Sequence, residues 1–156
     1  MAFPDDLLEQ ARHLAQREPK RPRQASLRRA VSTAYYALFH FLITEAVSNW
    51  KVATQRPRLA RTFEHGRMKE ACRAASKGKP RDNSASENHL RSVANAFVQL
   101  HDARRTADYD NSTQWSRTEA LTQIDLAEQA LAGWKAIGGQ EIANDFLLSL
   151  FVRERQ

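Results

Sequence analysis

Apolar residues recur every three or four positions along residues 24–50, which is the spacing of one face of an α-helix. Tyr35, Phe39 and Ile43 widen this face, so the helix is predicted to be buried on more than one side. The pattern predicts a long central helix whose main apolar positions are Leu27, Val31, Ala34, Leu38, Phe41 or Leu42, and Ala46.

The other periodic segments also predict helices. They are expected at residues 5–17, 57–75, from Ser86 to about Asp108, at 118–137, and as a short segment at 141–154. Turn-forming residues separate them, and no alternating run rich in Val, Ile or Thr predicts a strand. The chain is therefore expected to be a single all-α domain, residues 1–156. We expect an up-and-down antiparallel bundle of about four main helices plus one or two short ones.

The composition fits such a domain. A chain of 156 residues with 42% hydrophobic content is long and apolar enough to bury a core. Its single cysteine, Cys72, excludes an internal disulfide and is expected to be a buried thiol. Acidic residues stand where a signal peptide would be basic, and no run of 18 apolar residues occurs. We therefore expect a cytoplasmic protein without membrane contact.

The net charge of +6 is unevenly distributed. Residues 12–81 hold most of the Lys and Arg, whereas the remainder is net acidic. A basic half can attract phosphate-bearing partners, although Arg-rich helices can also simply be soluble. Phosphate-loop, dinucleotide-binding and zinc-protease motifs are missing, and the five histidines lack close metal-ligand spacing. No cofactor and no metal are predicted.

Residues 101–110, HDARRTADYD, raise the question of a functional site. Here the apolar face of the preceding helix turns polar, with the order Phe97, His101, Arg104, Asp108 along one stripe. Arg104 and Asp108 are four residues apart and can pair.

Two interpretations of this stretch remain open. In one, a well hydrogen-bonded Arg–Asp pair is a structural clamp that ties the helix end to Tyr35 or Tyr36. In the other, Arg104 and Arg105 hold a phosphate in a cleft and a neighbouring group moves a proton.

Two segments carry a family resemblance. The sequence 28-RRAVSTAYYALFHFL-42 is followed at 104–110 by RRTADYD, and a middle segment, 62-TFEHGRMKEA-71, lies between them. In content, order and separation these segments resemble the HEPN family. They are most similar to its bacterial and archaeal branch with an AYYA–FH segment and a later R-x-x-ADY segment. The resemblance covers residues 25–135.

The resemblance implies an up-and-down helical bundle that forms a homodimer along the motif-bearing helices. Many such proteins are RNA-cutting toxins or defence factors, or partners of a minimal nucleotidyltransferase in a toxin–antitoxin pair. Their RNA-cutting members use an Arg to steady the phosphate and a His shortly after it as general acid and base, without metal.

This chain departs from that pattern because no His follows Arg104 and Arg105, and His101 precedes them by one turn. The remaining candidates for the proton role are His101, Asp108 and Tyr109, but a neighbouring guanidinium favours the ionised form of Asp108.

Tyr36 and His40 are one helical turn apart and can line a cleft with Arg105 and Tyr109. Alternatively, Tyr35 and Tyr36 pack in the core, with their hydroxyls bonded to Asp108 or Asp110.

Two functions are therefore expected from the sequence. The first is a non-catalytic dimeric module that binds RNA, nucleotide or a partner protein such as a nucleotidyltransferase or antitoxin. The second is a divergent, metal-independent ribonuclease toxin using Arg104 and Arg105. In a third interpretation, residues 101–110 only stabilise the fold.

Overall fold

Seven α-helices form within residues 2–153, the part of the chain that the computed structural model describes, and no strand occurs there. A short 3₁₀ turn at Ala53–Gln55 precedes the third helix. The helices are α1 Phe3–Ala15, α2 Gln24–Ser48, α3 Arg56–Ala60, α4 His65–Lys77, α5 Ala85–Tyr109, α6 Arg117–Lys135 and α7 Glu141–Ser149.

The predicted helix at 57–75 is divided into α3 and α4. Between them, the backbone N–H groups of Thr62 and Phe63 bond to carbonyls at the end of α3 and close a turn. This break lets the Phe63 ring enter the core, where it is 8% exposed and packs 5.2 Å from the ring of Phe151. Burial of an aromatic ring therefore outweighs continuation of the helix. The last predicted helix ends earlier than expected, at Ser149, and residue 154 lies outside the described residues.

The start of α5 also differs from the prediction. The N-cap is Ser84 rather than Ser86, and its side chain accepts a hydrogen bond of 3.1 Å from the backbone N–H of Glu87. The carboxylate of Glu87 is buried, and it accepts the backbone N–H groups of residues 81–83. A buried carboxylate needs such donors, so it organises the preceding loop and shifts the cap by two residues.

Successive main helices run antiparallel. Between α2 and α5, Ser32 reaches Asp108, whereas Tyr35 contacts Phe97, so residue numbers rise along one helix and fall along the other. Contacts between α4 and α5 show the same reversal, and Gly133 near the end of α6 lies beside Val93 near the start of α5. The predicted all-α bundle is confirmed.

The most buried helix is α2, as its wide apolar face predicted. Its Leu27, Val31, Leu38 and Leu42 are inaccessible to solvent. By length and composition, α2 is also the one helix among residues 2–153 that is apolar enough to cross a membrane, which the sequence analysis did not expect. In the bundle, 72% of the 18-residue window concerned is buried, the burial that a core helix shows.

Candidate functional site

A buried arginine lies against two tyrosines where α2 and α5 face each other. The guanidinium carbon of Arg104 is 5.0 Å from the ring centre of Tyr35 and 5.9 Å from that of Tyr36. Arg104 is only 8% exposed. Together with His65 and Asp108, described below, these residues form what we call the Arg104 cluster.

Arg104 has few polar partners for a buried cation. Its Nη1 is 3.8 Å from Oδ2 of Asp108, which is beyond hydrogen-bond distance. Its Nε is buried without a hydrogen-bond partner among the described residues. A guanidinium stays charged and carries five N–H donors. The ring faces of Tyr35 and Tyr36 therefore supply much of its stabilisation through cation–π contacts, and its Nη groups, which are not fully buried, remain available to an anion.

His65, at the start of α4, joins this cluster although sequence reasoning did not select it. Its Nδ1 lies 2.6 Å from the hydroxyl of Tyr35, and its ring stacks on Phe39 at 4.2 Å. Burial lowers the pKa of His65, and the nearby charges of Arg104 and then His40 lower it further. Burial also raises the pKa of Tyr35. We therefore assign a neutral imidazole. Its Nδ1 accepts a hydrogen bond from the Tyr35 hydroxyl, and its Nε2 carries the ring hydrogen.

The only sequence signal for His65 is its position in the segment 62-TFEHGRMKEA-71. Its partner, Tyr35, is 30 residues away in the chain, and no local spacing rule connects residues at that separation. Only the docking of α4 against α2 and α5 brings the two side chains together.

His101, a predicted proton-transfer candidate, is buried on α5 with 4% exposure. Its ring meets Tyr35 edge-on, with ring centres 5.7 Å apart. Burial lowers its pKa, an effect that the carboxylate of Asp102, 3.6 Å from its Nδ1, partly opposes. His101 thus packs against the tyrosine that also contacts Arg104 and His65.

Arg104 and Arg105 point to different faces of α5, whereas one of the two interpretations left open by the sequence has both hold the same phosphate. Consecutive helical residues point about 100° apart, so Arg105 faces solvent while Arg104 faces the core. Arg105 lines an open surface pocket of about 460 Å³ with Asp102, Thr106, Tyr109 and Asp110. Tyr109 is 75% exposed there.

Tyr36 and His40 lie with Arg104 rather than with Arg105 and Tyr109. Their rings are stacked with centres 6.0 Å apart, and both residues are half-buried. Burial lowers the pKa of His40. The predicted cleft of these four residues is therefore divided between two faces of α5.

Arg28 on α2, which the sequence analysis did not select, ties down the end of α5. Its guanidinium donates to the backbone carbonyls of Ala107 at 2.9 Å, Asp110 at 2.8 Å, and Thr113. Carbonyls at a helix C-terminus lack hydrogen-bond donors within the helix, and the guanidinium of Arg28 supplies these donors. Arg28 thus holds this helix end, whereas the predicted clamp of a hydrogen-bonded Arg104–Asp108 pair is not formed, and the hydroxyl of Tyr35 bonds to His65 instead of Asp108 or Asp110.

A larger groove, of about 570 Å³, lies between α4, α5 and α7. None of the predicted site residues lines it, and of its five basic side chains Arg81 and Arg91 are bonded to Asp145 and to backbone carbonyls of residues 76 and 78. We place the candidate site at the Arg104 cluster, because there a guanidinium with unused donors lies among residues that the sequence analysis selected.

Within residues 2–153, no three His, Cys, Asp or Glu side chains come together as a metal-ion site. Cys72 is buried, and burial raises its pKa.

No protein-family model, no curated protein and no solved structure matches the chain. The chemistry of the Arg104 cluster is therefore the basis on which a function can be proposed.

Proposed function

We propose that the protein is a HEPN-like, dimeric helical module of a toxin–antitoxin or defence system, and that it binds RNA or nucleotide phosphate at the Arg104 cluster. The observation that carries this proposal is the mostly buried guanidinium of Arg104, which makes no hydrogen bond to any of the described residues. A planar guanidinium matches the oxygens of a phosphate and forms charge-assisted hydrogen bonds with it.

The surroundings of Arg104 favour an anionic ligand. Burial lowers the pKa values of His40 and His65, so near pH 7 both are neutral, and each carries one N–H that can donate a hydrogen bond to an anion. Asp108 is the carboxylate paired with Arg104, and at 3.8 Å it leaves room for a closer partner. The half-buried ring of Tyr36 adds an aromatic surface beside the charge, as in many sites that hold single-stranded RNA.

Binding of a labelled short RNA, followed by fluorescence anisotropy, tests this proposal. We expect Arg104→Gln to weaken binding at least tenfold and Arg104→Lys to retain part of it, because lysine keeps the charge but not the planar fork. Arg29→Gln removes an exposed positive charge from α2 and is the matched control. Thermal melts establish that each variant is folded.

Wild-type affinity in a folded Arg104→Gln protein would contradict the proposal. Arg105→Gln is measured in parallel, because loss of binding in this variant alone would move the phosphate site to the exposed pocket beside Tyr109.

A metal-independent ribonuclease is the second candidate, and the contact between His65 and Tyr35 beside Arg104 favours it. To act as a base, neutral His65 gives up its hydrogen bond from Tyr35, and its Nδ1 then takes the proton of a ribose 2′-hydroxyl as that oxygen attacks the adjacent phosphorus. The 5′-oxygen leaves with a proton from water. His65 supplies a base that the sequence pattern lacked, beside the earlier candidates His101, Asp108 and Tyr109.

Incubation of purified protein with total RNA in EDTA distinguishes the two candidates. If the protein is a ribonuclease, we expect cleavage that survives EDTA and is lost in a folded His65→Gln protein. If Arg105→Ala abolishes cleavage while His65→Gln does not, the active site is instead at the exposed end of α5. If the wild type does not cleave RNA, the ribonuclease is excluded and the binding module remains the proposal.

The proposed homodimer is tested separately from the binding of RNA. Light scattering during size-exclusion chromatography gives the mass of the purified protein, for which we expect twice 17.8 kDa. A mass of one chain across the micromolar range would contradict the dimer.

A further inference from the structure

A second basic surface follows the end of α2. Trp50 and Val52 are 49% and 48% exposed, and the side chains of Lys51, Arg58 and Arg61 are also exposed. No Asp or Glu occurs between residues 46 and 63. We call the set Trp50, Lys51, Arg58 and Arg61 the Trp50 patch. It combines an exposed aromatic ring with three positively charged side chains.

The indole of Trp50 is held in place by its neighbours. Its Nε1 donates a 2.7 Å hydrogen bond to the side-chain oxygen of Gln55. Arg56 donates to the backbone carbonyls of Trp50, at 2.9 Å, and Ser48, at 3.3 Å, which fixes the chain as it leaves α2. Because the indole N–H is already satisfied, another flat ring can cover the indole without leaving a polar group unpaired.

A shallow pocket adjoins this ring. It has a volume of about 270 Å³ and is lined by Trp50, Gln55, Arg58, Leu59 and Thr62. Pockets for drug-sized molecules begin near about 300 Å³, so this one suits a single flat ring. Arg58 at its edge places a positive charge next to the stacking surface.

We propose that the Trp50 patch is a stacking site for one base of a single-stranded nucleic acid, with Lys51, Arg58 and Arg61 contacting the adjoining phosphates. Exposed aromatic rings combined with uncompensated basic residues bind single strands in this way, with little sequence preference. This inference rests on the proposed binding of RNA and adds a second contact. Along α2, the patch lies about 20 Å from Tyr36, so one strand can reach both.

Tryptophan fluorescence tests this site directly. Trp134 is 1% exposed and Trp115 is half-buried, so quenching by a stacked base reports mainly on Trp50. The probe is a single-stranded RNA of about 12 nucleotides, a length within the usual site sizes. An abasic strand with the same phosphates is its matched partner. We expect quenching by the RNA, weaker quenching by the abasic strand, and loss of the signal in Trp50→Phe.

Affinity measurements separate stacking from charge. We expect Trp50→Ala to weaken RNA binding about tenfold, or about 1.4 kcal/mol, without weakening the binding of the abasic strand. Arg58→Gln should weaken the binding of both strands and reduce the salt dependence by about one phosphate contact. Lys135→Gln, at an exposed position on α6, is the charge-matched control.

The proposal would be overturned if the wild type bound the RNA and the abasic strand with equal affinity and a folded Trp50→Ala protein did the same. Quenching of Trp50 by an acidic peptide but not by RNA would also overturn it, since the patch would then be a protein-binding surface. Quenching that persists in Arg104→Gln supports the Trp50 patch even if the proposed role of Arg104 fails.

Discussion

Replacement of Arg28 by Met removes three charge-assisted hydrogen bonds that hold the end of α5 and the loop after it. The acceptors are the carbonyls of Ala107, Asp110 and Thr113. The bond to Asp110 is exposed, so water replaces it at little cost, whereas the other two are partly buried. At about 1–1.5 kcal/mol for each of these two bonds, the free energy of unfolding falls by about 2–3 kcal/mol.

A loss of that size lowers the melting temperature of a domain of this length by about 4–12 °C. Circular dichroism or calorimetry measures it. Arg29→Met is the matched control, because it makes the same change in helix propensity at the next residue, where the side chain is exposed. The control should stay within about 0.5 kcal/mol of wild type. Equal melting temperatures for the two variants would refute the role assigned to Arg28.

The remaining predictions concern pH and backbone freedom. Burial lowers the pKa values of His40, His65 and His101, so below about pH 6.5 the unfolded chain binds more protons than the folded protein. The melting temperature should therefore fall between pH 7 and pH 5, less steeply in His65→Gln, whereas the exposed His13→Gln control should follow the wild type. Gly66→Ala should raise stability by about 0.5–1 kcal/mol in denaturant unfolding, because an added Cβ meets nothing within 4 Å.

The helices could be predicted from the sequence because their signals are local. The apolar spacing at residues 24–50 predicted α2 to within two residues, and the start expected for α6 at residue 118 is one residue from its observed start at Arg117. The break between α3 and α4 was missed. It depends on a buried contact between Phe63 and a ring near the other end of the chain, which no local pattern contains.

The candidate site was predicted in part. The stripe of His101, Arg104 and Asp108 follows from helical periodicity, and the structure places the first two in the core. The same periodicity, applied to Arg105, already implied a different face from Arg104, although one of the two interpretations placed both residues on one phosphate. Its exposure, and that of Tyr109, became clear only with the neighbouring helices in place.

The sequence by itself determined the all-α class, the long central helix and the polar end of α5, because side-chain spacing along one helix decides which face is buried. Only the tertiary structure decided which polar groups meet. The pairing of His65 with Tyr35 and the bonds from Arg28 to the end of α5 join residues 30 to 85 positions apart. Such contacts depend on how helices dock, and docking is set by the whole core rather than by any one segment.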